Sequence, residues 1–442
     1  MDNQTSYQHQ TQQPAPVGPP RSNFWKYLVT VLVTALVTFS LTAGGALVLM
    51  LVMSPAQPPV ATGGDGSLAL RFEDDPATRD ALSKLQSVFS HLQDDYYDDL
   101  SDAELIEAMT RGMVNEMDSP YTMYLTADQA RQINESMTGR YSGIGAYVAL
   151  DPDGIVAITD IVENSPAEAA GLMIGDLFYE VNGTDVSDYG DINAVAALVR
   201  GVEGTTVDLR LYRPSLGDYI DVTVERRLIT TENVTSRMLT PLTGYVHIRD
   251  FSVDSGRHFI EAVQNLQQNG VLEIVVDLRH NSGGLASEVI EMLDYLLPET
   301  EIASLKGRTD GQAYDEVWMS DAAVGVPADM RYAILVNQWT ASASELFSGC
   351  LRDYDKAYLI GEQTLGKGSG TITQPLPDGS AINITNFLYY LPGGESIEGV
   401  GLTPDLELAL PDELIGLPVN RIPEDEDVQL QAALDYFSHG GE

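Results

Sequence analysis

Strand-like and helix-like segments alternate from Gly244 onward, and this alternation constrains the fold more than any other feature of the chain. Tyr245 to Phe251 has the pattern of a strand, and Ser255 to Gln268 has the pattern of an amphipathic helix. Leu285 to Leu297 has the pattern of a second helix. Such alternation favours an α/β core. The chain has 442 residues, enough for two or three domains, so a multi-domain α/β protein is expected.

Ser342 is predicted to occupy a strand-to-helix turn of this core. The apolar run from Tyr332 to Asn337 precedes it, and apolar residues at helical spacing, beginning with Leu346 and Phe347, follow it. At such a turn a hydroxyl points out of the sheet, close to helix amides that can stabilise an oxyanion.

A serine hydroxyl is a poor nucleophile until a base removes its proton. Lys367, in the turn Gly366-Lys367-Gly368, is a candidate base if apolar neighbours such as Leu365 lower its pKa from about 10.4 toward neutrality. The six histidines form no spaced pair, so neither a histidine base, a metal site nor a cofactor is predicted. The alternative is that Thr340, Ser342 and Ser344 cap a helix and that Lys367 is a solvated turn residue.

The surrounding sequence resembles the carboxyl-terminal processing peptidases, also called tail-specific proteases, from about Phe72 to Asp405. The run Thr340-Ala341-Ser342-Ala343-Ser344-Glu345 and the turn at Lys367 carry the resemblance, which implies that Ser342 is the nucleophile and Lys367 the base. The segment Asp277-Leu278-Arg279-His280-Asn281-Ser282-Gly283-Gly284 is similar to another element of the family. It implies an oxyanion hole formed by the amides of Gly283, Gly284 and Ala343. A glycine-rich turn without a catalytic role is the alternative.

Two positions bear on the supporting residues of the site. Many family members have a glutamine four residues after the lysine, where it orients the amine, and this chain has Thr371 there. A threonine hydroxyl could still bond the lysine, but it is shorter. Asp353 matches a position that is commonly acidic in the family, and either a supporting role or a solvated carboxylate at a helix end fits it.

The segment Tyr141 to Ala146 opens a run of short strands and resembles the start of a PDZ domain. Ser165 to Leu172, Gly175-Asp176 and Val181-Asn182-Gly183 extend the resemblance. It implies that the backbone amides of the loop hold the carboxylate of a peptide C-terminus. The loop residues are Gly143, Ile144, Gly145 and Ala146.

The N-terminal region predicts the location of the protein. Residues 1–26 are expected to be a disordered cytoplasmic tail, and Tyr27 to Met53 contain no charge over a length that can span a bilayer. Basic residues precede this segment and none follows until Arg71, so the remainder is expected outside the cytoplasm. The alternative to a membrane anchor is a cleaved signal peptide. Residues 54–70 are expected to be a flexible linker.

The remaining domains are assigned by pattern and by the resemblance. Residues 71–137 are predicted to be a helical cap, in which Ser101-Asp102-Ala103-Glu104 is a capping box, and the resemblance implies that the cap contributes to self-association. Residues 138–229 form the PDZ domain and residues 230–410 a protease core that resembles the crotonase-like architecture. Residues 411–442 are a C-terminal extension with a helical pattern from Val428 to Phe437.

The net charge of −41 argues against nucleic acid and anionic lipid headgroups as partners. The expected function is that of a membrane-tethered serine endopeptidase, without cofactor, that cleaves extracytoplasmic proteins near the C-termini it recognises. One alternative is a catalytically inactive surface protein that binds peptides through its PDZ domain. A crotonase-like enzyme for small molecules is a weaker one. Both inhibition and activation by the PDZ domain fit the sequence.

Overall fold

The computed structural model describes residues 61–62, 68–69, 72–151, 153–230, 232–321, 324–415 and 417–440. They form two compact units, one ending at Leu100 and the other beginning at Ser101. The predicted tail (1–26), the predicted transmembrane segment (27–53) and most of the predicted linker lie outside the described residues. Within the described ranges, no helix combines the length and the apolar character needed to cross a bilayer.

Among its described residues, the first unit contains a short strand pair and one long helix. Strands β1 (Ala61–Thr62) and β2 (Leu68–Ala69) pair antiparallel inside the segment predicted as a flexible linker. Helix α1 (Pro76–Asp95) begins at Asp75, whose carboxylate accepts the amides of Ala77 and Thr78. Proline at the first helical position and an aspartate cap are both typical of a helix start.

The second unit begins with two helices and a strand. The predicted capping box is confirmed: Ser101 and Glu104 bond each other's backbone amides at the start of α2 (Asp102–Asn115). Strand β3 (Met123–Leu125) and helix α3 (Ala127–Thr138) follow, and α3 ends at Gly139 in the left-handed conformation.

The next residues form a small β-domain with its own core. Strands β4 (Arg140–Gly143) and β11 (Arg227–Thr230) make a separate antiparallel pair. The main sheet has the order β10-β9-β7-β6-β5, so β5 is an edge strand. Helix α4 (Pro166–Ala169) and helix α5 (Ile192–Val199) pack on it, and α5 lies beside β5. The short strand β8 (Thr184–Asp185) pairs with β7. The other strands are β5 (Ala146–Leu150), β6 (Val156–Ile161), β7 (Leu177–Val181), β9 (Thr206–Arg213) and β10 (Asp218–Glu225).

The α/β core is built on a six-stranded sheet of order β12-β13-β14-β17-β18-β21, parallel except for β12. Its strands are β12 (Val234–Met238), β13 (Thr243–Ile248), β14 (Glu273–Asp277), β17 (Arg331–Val336), β18 (Ala357–Gly361) and β21 (Leu406–Glu407). The side chains alternate between the two faces of the sheet. Ile274 and Val276 face helices α6 (Ser255–Gln268), α7 (Ala286–Leu296) and α8 (Ala343–Asp353). Val275 faces the C-terminal helix α9 (Val428–Ser438).

A second sheet of order β16-β15-β20-β19 packs beside this core, and β3 pairs with β20. It comprises β15 (Glu301–Thr309), β16 (Gln312–Met319), β19 (Ser369–Pro375) and β20 (Ala381–Tyr390). The pairing of β3 with β20 attaches the segment after α2 to the strand that runs past the predicted base. The second sheet thereby brings Tyr121 and Tyr389 to the region of Ser342 and Lys367.

Candidate active site

Parallel strands bring the candidate residues together. Strands β14, β17 and β18 are neighbours in the sheet, so the segments that follow their carboxyl ends meet at one edge. These segments are residues 277–284, residues 337–342 and the turn around Lys367. The amide of Ala341 donates to the carbonyl of Asn281 at 3.1 Å, and the amide of Leu365 donates to the carbonyl of Thr340 at 3.0 Å.

Ser342 lies between β17 and α8, as predicted, in an unusual backbone conformation. Its φ is 56° and its ψ is −116°, a region that non-glycine residues rarely adopt and that costs on the order of 1–3 kcal/mol. Its neighbours have structural duties: the hydroxyl of Thr340 donates to the carbonyl of Leu278, and the hydroxyl of Ser344 donates to the carbonyl of Asn281, both at 2.9 Å. Thr340 and Ser344 thus have the structural roles of the capping alternative, and Ser342 itself is the N-cap residue of α8. Strained backbone at a turn of this kind is typical of functional sites.

Glu345 joins the turn of Ser342 to the turn of Lys367. One carboxylate oxygen, Oε2, accepts the backbone amides of Ser342 at 2.7 Å and of Lys367 at 2.9 Å. The other oxygen, Oε1, accepts the hydroxyl of Thr364 at 2.5 Å and the amide of Gly366 at 2.8 Å. Glu345 is fully buried. Burial raises the pKa of this carboxyl, and the four hydrogen bonds oppose the rise.

Tyr389 makes a second bridge between the same two residues. Its hydroxyl lies 3.0 Å from the carbonyl oxygen of Ser342 and 3.1 Å from that of Lys367, so its single proton is shared between them. Burial raises the pKa of Tyr389 well above its ordinary value, which keeps the donor protonated. The backbones of Ser342 and Lys367 are therefore held together on both their amide and carbonyl sides.

The ammonium of Lys367 lies over the ring of Tyr121, 4.7 Å from its centroid. Burial lowers the pKa of Lys367 below its ordinary value, and the carboxylates of Glu398 and Glu345 oppose this effect. Leu365, which the sequence suggested as the desolvating neighbour, is 50% exposed. The contact with Tyr121 comes from a segment more than 200 positions away, so spacing around the lysine could not predict it.

The glycine turn of residues 277–284 lies directly against Ser342. A Cβ atom added to Gly283 would stand 2.9 Å from Cβ of Ser342 and 3.0 Å from the amide nitrogen of Ala343. The amide of Gly283 donates to the side chain of Asn281 at 2.9 Å. Within the described part of the chain, the amides of Gly284 and Ala343 make no hydrogen bond. Gly283 and Ala343 thus lie at Ser342, with the amide of Gly283 engaged internally, whereas Gly284 packs against the backbone of Phe251.

A buried ion network supports the base of this turn. The guanidinium of Arg279, 2% exposed, bonds the carboxylates of Asp277 and Asp427 and the amide oxygen of Gln429. Arg279 lowers the pKa of Asp277 against the opposing effect of burial. Asp427 caps α9 by accepting the amide of Leu430. The C-terminal extension, whose role was not predicted, thereby anchors the strand that leads into the glycine turn.

The two predicted supporting residues occupy different places. Thr371 lies in β19 opposite Thr385, and among the described residues its hydroxyl makes no hydrogen bond to Lys367. Asp353 ends α8, about 15 Å along the helix from Ser342, and accepts the amide of Gly393 at 2.9 Å. Asp353 therefore fixes the turn after β20 rather than the site.

The predicted PDZ loop lies at the edge of the small β-domain. Gly143 ends β4, Ala146 begins β5, and Gly145 has a φ of 80° with no room for a Cβ against Ser165. Ile144 is 3% exposed and packs in the domain core, so only its backbone could meet a ligand.

A cavity of about 320 Å³ lies beside β5 and α5. It is also bounded by α3 and by the segment after β13. The cavity therefore borders the small β-domain, helix α3 and the α/β core. The residues that line it are Gln132, Glu135, Ser136, Gly139, Tyr141, Tyr147, Asn193, Ala196, Ala197, Arg200, Arg249 and Asp250.

Three family models match segments of this chain. Residues 242–408 match Peptidase family S41, residues 157–213 match a PDZ domain, and residues 42–129 match the N-terminal domain of the activating protease CtpB.

A probable CtpA-like serine protease of Staphylococcus saprophyticus is 33% identical over 353 residues, which is 80% of this chain and 70% of the relative. A probable CtpA-like serine protease of Staphylococcus aureus is 34% identical over 331 residues, or 75% of this chain and 65% of the relative. A putative S41 protease of Bacteroides fragilis shares the fold, with a TM-score of 0.51 and 20% identity over 85% of this chain and 100% of that one.

Proposed function

Because the chain belongs to peptidase family S41, in the group of the carboxyl-terminal processing peptidases, we propose that it is an endopeptidase in which Ser342 and Lys367 form the catalytic dyad. The observation that carries the proposal is the shared oxygen of Glu345, which accepts the amides of both residues. Glu345 receives the amide of Ser342 as part of the cap of α8, and the same oxygen reaches a second segment 25 positions further along the chain.

In the proposed reaction the hydroxyl oxygen of Ser342 attacks a peptide carbonyl, and its proton passes to the neutral amine of Lys367. The negative charge that develops on the carbonyl oxygen is stabilised by the amides of Gly284 and Ala343, with Gly283 beside them. The ammonium of Lys367 then protonates the leaving amine as the carbon–nitrogen bond breaks. Water hydrolyses the acyl-enzyme by the same proton transfers in reverse.

The pKa of Lys367 supports its role as base. A lysine in water is protonated at neutral pH and cannot accept a proton, whereas burial lowers the pKa of this one. Strained backbone at Ser342 and unbonded amides beside it are typical of an active site, and a passive binding protein has no need of either. These observations favour the enzyme over the inactive PDZ-type binding protein.

We further propose that the PDZ domain recognises the free C-terminus of the substrate. The edge strand β5 can pair with an extended peptide, and the loop of residues 143–146 at its start would receive the carboxylate on backbone amides. Cleavage would then fall near that terminus, outside the cytoplasm if residues 27–53 anchor the chain in the membrane as their composition predicts.

The test uses the full-length chain in a mild detergent and a quenched fluorogenic peptide that ends in valine with a free carboxylate. Ser342→Ala and Lys367→Ala should each abolish turnover, whereas Lys356→Ala, whose amine bonds the carbonyl of Ala328 outside the site, should not. A fluorophosphonate should label the wild type but not Ser342→Ala. Turnover that persists in Ser342→Ala or Lys367→Ala would refute the dyad.

The role of the PDZ domain is tested with the same peptide carrying a C-terminal amide. Loss of the carboxylate should raise KM or lower the degree of activation, because the loop amides then have no anion to bind. Identical kinetics for the acid and the amide would refute C-terminal recognition and leave the dyad untouched.

A further inference from the structure

Two carboxylates lie near Lys367, and they differ in how their oxygens are used. Each oxygen of Glu345 accepts two hydrogen bonds. In Glu398 the oxygen Oε2 is buried and has no hydrogen-bond partner among the described residues. A buried carboxylate oxygen without a donor is costly, and in native proteins such an atom calls for an explanation.

Backbone contacts hold Glu398 against the lysine turn. The amide of Gly399 donates to the carbonyl of Gly366 at 2.8 Å. A Cβ atom added to Gly368 would stand 2.5 Å from the amide nitrogen of Glu398. The residues on both sides of Lys367 therefore contact the backbone at Glu398 and Gly399. The backbone of Glu398 cannot move away from the turn of Lys367 without breaking the packing of these two segments.

The charge of Glu398 acts on the groups around the amine. It raises the pKa of Lys367 against the larger effect of burial, and it contributes to the raised pKa of Tyr121 and of Tyr389. Among the described residues, the titratable groups around Lys367 and its turn are Glu345, Glu398, Tyr121 and Tyr389. Of these four, Glu398 has a buried carboxylate oxygen that receives no hydrogen bond.

We propose that Glu398 is a positioning residue of the dyad, accepting a hydrogen bond from the amine of Lys367 and thereby directing its lone pair at the hydroxyl of Ser342. The inference rests on the proposed function. In the present structure the ammonium lies on the ring of Tyr121 and forms no ion pair with Glu398 within the described residues. A neutral amine has two N–H donors and one lone pair, so a bond from one donor to Glu398 restricts where the lone pair points.

Glu398 also fits the charge that appears during the reaction. Lys367 becomes an ammonium in the transition state, and a fixed carboxylate stabilises that cation where burial alone would oppose it. Thr371 does not reach the amine in this structure, so an orienting acceptor has to come from elsewhere in the chain. Glu398 supplies one from a segment 31 positions after Lys367.

The test compares Glu398→Ala and Glu398→Gln with the matched pair Glu395→Ala and Glu395→Gln, whose side chain is exposed in the same loop. The assay is the pH profile of kcat and kcat/KM of the full-length enzyme on the fluorogenic peptide. Glu398→Ala should lower kcat about 10- to 100-fold with KM nearly unchanged, since general-base catalysis is worth roughly 10²–10⁴-fold. Glu398→Gln keeps an acceptor and should lose less.

Both Glu398 variants remove a negative charge that favours the ammonium, so the acid limb of kcat/KM should move to lower pH in both. A merely structural role would not move this limb. A thermal melt of each variant separates loss of fold from loss of catalysis, and Glu398→Gln, which is nearly isosteric, is the variant that decides if Glu398→Ala does not fold.

Three results would overturn the inference: Glu398 variants that behave like the Glu395 pair, a fall in kcat with an unmoved limb, or a limb that moves to higher pH. In each case the dyad stands as long as Ser342→Ala and Lys367→Ala are inactive. If those two variants retain activity, the proposed function itself fails, and the two failures are thus distinguishable.

Discussion

Replacing Glu345 by glutamine tests whether the bridge between the two turns is what assembles the site. Glutamine has nearly the same shape but offers one acceptor oxygen instead of two. Whichever way the amide is turned, two of the four hydrogen bonds to Ser342, Thr364, Gly366 and Lys367 are lost, and an NH₂ group faces two donors.

The expected cost follows from these contacts. Hydrogen bonds to a charged group contribute about 1.5–3 kcal/mol each, so the loss of two amounts to roughly 3–6 kcal/mol. A neutral glutamine is cheaper to bury than a carboxylate, and the raised pKa of Glu345 indicates that burial already opposes its charge. We therefore expect a value near the lower end, about 3 kcal/mol. For a core of this size that corresponds to a fall in Tm of about 6–12 °C.

The assay is thermal unfolding together with turnover of the fluorogenic peptide below the melting transition. Because a displacement of about 1 Å in a catalytic group can cost roughly 10²-fold, kcat should fall about 100-fold in molecules that remain folded. Glu426→Gln, an exposed glutamate ahead of α9, is the matched control and should change neither quantity. A Glu345→Gln enzyme with the Tm and kcat of that control would show that the bridge does not hold the site together.

Three other substitutions test separate parts of the argument. Lys367→Met should abolish activity yet raise Tm at neutral pH. Burial lowers the pKa of Lys367 in the folded state, so the stability of the wild type declines as the pH falls below the unfolded-state pKa of about 10.4. In thermal melts at a series of pH values, the excess Tm of the variant over the wild type should therefore fade as the pH rises toward about 10.4. Gly283→Ala should eliminate turnover because the added Cβ meets the backbone around Ser342. The control Gly270→Ala also lies at positive φ but in open space, so it should cost only about 1 kcal/mol of unfolding free energy in urea and leave kcat unchanged. Asp427→Asn should destabilise the core by about 3–5 kcal/mol, since it leaves a buried guanidinium partly unpaired, while the exposed Asp425→Asn should not move the unfolding midpoint.

Local periodicity predicted the main elements of the core well. Helix α6 has the predicted bounds, Ser255–Gln268, because Phe259, Val263 and Leu266 recur at helical spacing and are buried as a set. The hairpin of β15 and β16 was not predicted, although Asp310-Gly311 is a turn signal that could have revealed it. Both residues have positive φ, as a two-residue hairpin turn requires.

The candidate site was predictable only where its residues form a motif. The turns that carry Ser342 and the glycine pair at 283–284 are readable from the chain, since a turn that follows a strand is a local property, but the association of Ser342 with Lys367 rested on the family resemblance. Tyr121 and Glu398 were not readable as partners of the lysine, because they reach it through the pairing of β3 with β20 and the packing of the 396–401 segment on the lysine turn. These contacts depend on the tertiary fold and leave no periodic trace.

The contacts that join Ser342 to Lys367 also hold Ser342 in its strained conformation. Ser342 would relax from its positive φ unless its flanking backbone groups were fixed. Its amide is fixed by the hydrogen bond that it donates to Glu345, and its carbonyl oxygen by the hydrogen bond that it accepts from Tyr389. The same two side chains bond the amide and carbonyl of Lys367. Displacing the turn of Lys367 therefore weakens the restraint on Ser342 as well, so the backbone strain of Ser342 and the position of Lys367 should be lost together. A variant that released the strain of Ser342 but kept Lys367 in place would have to lose the hydrogen bonds of Glu345 and Tyr389 to Ser342 and retain those to Lys367.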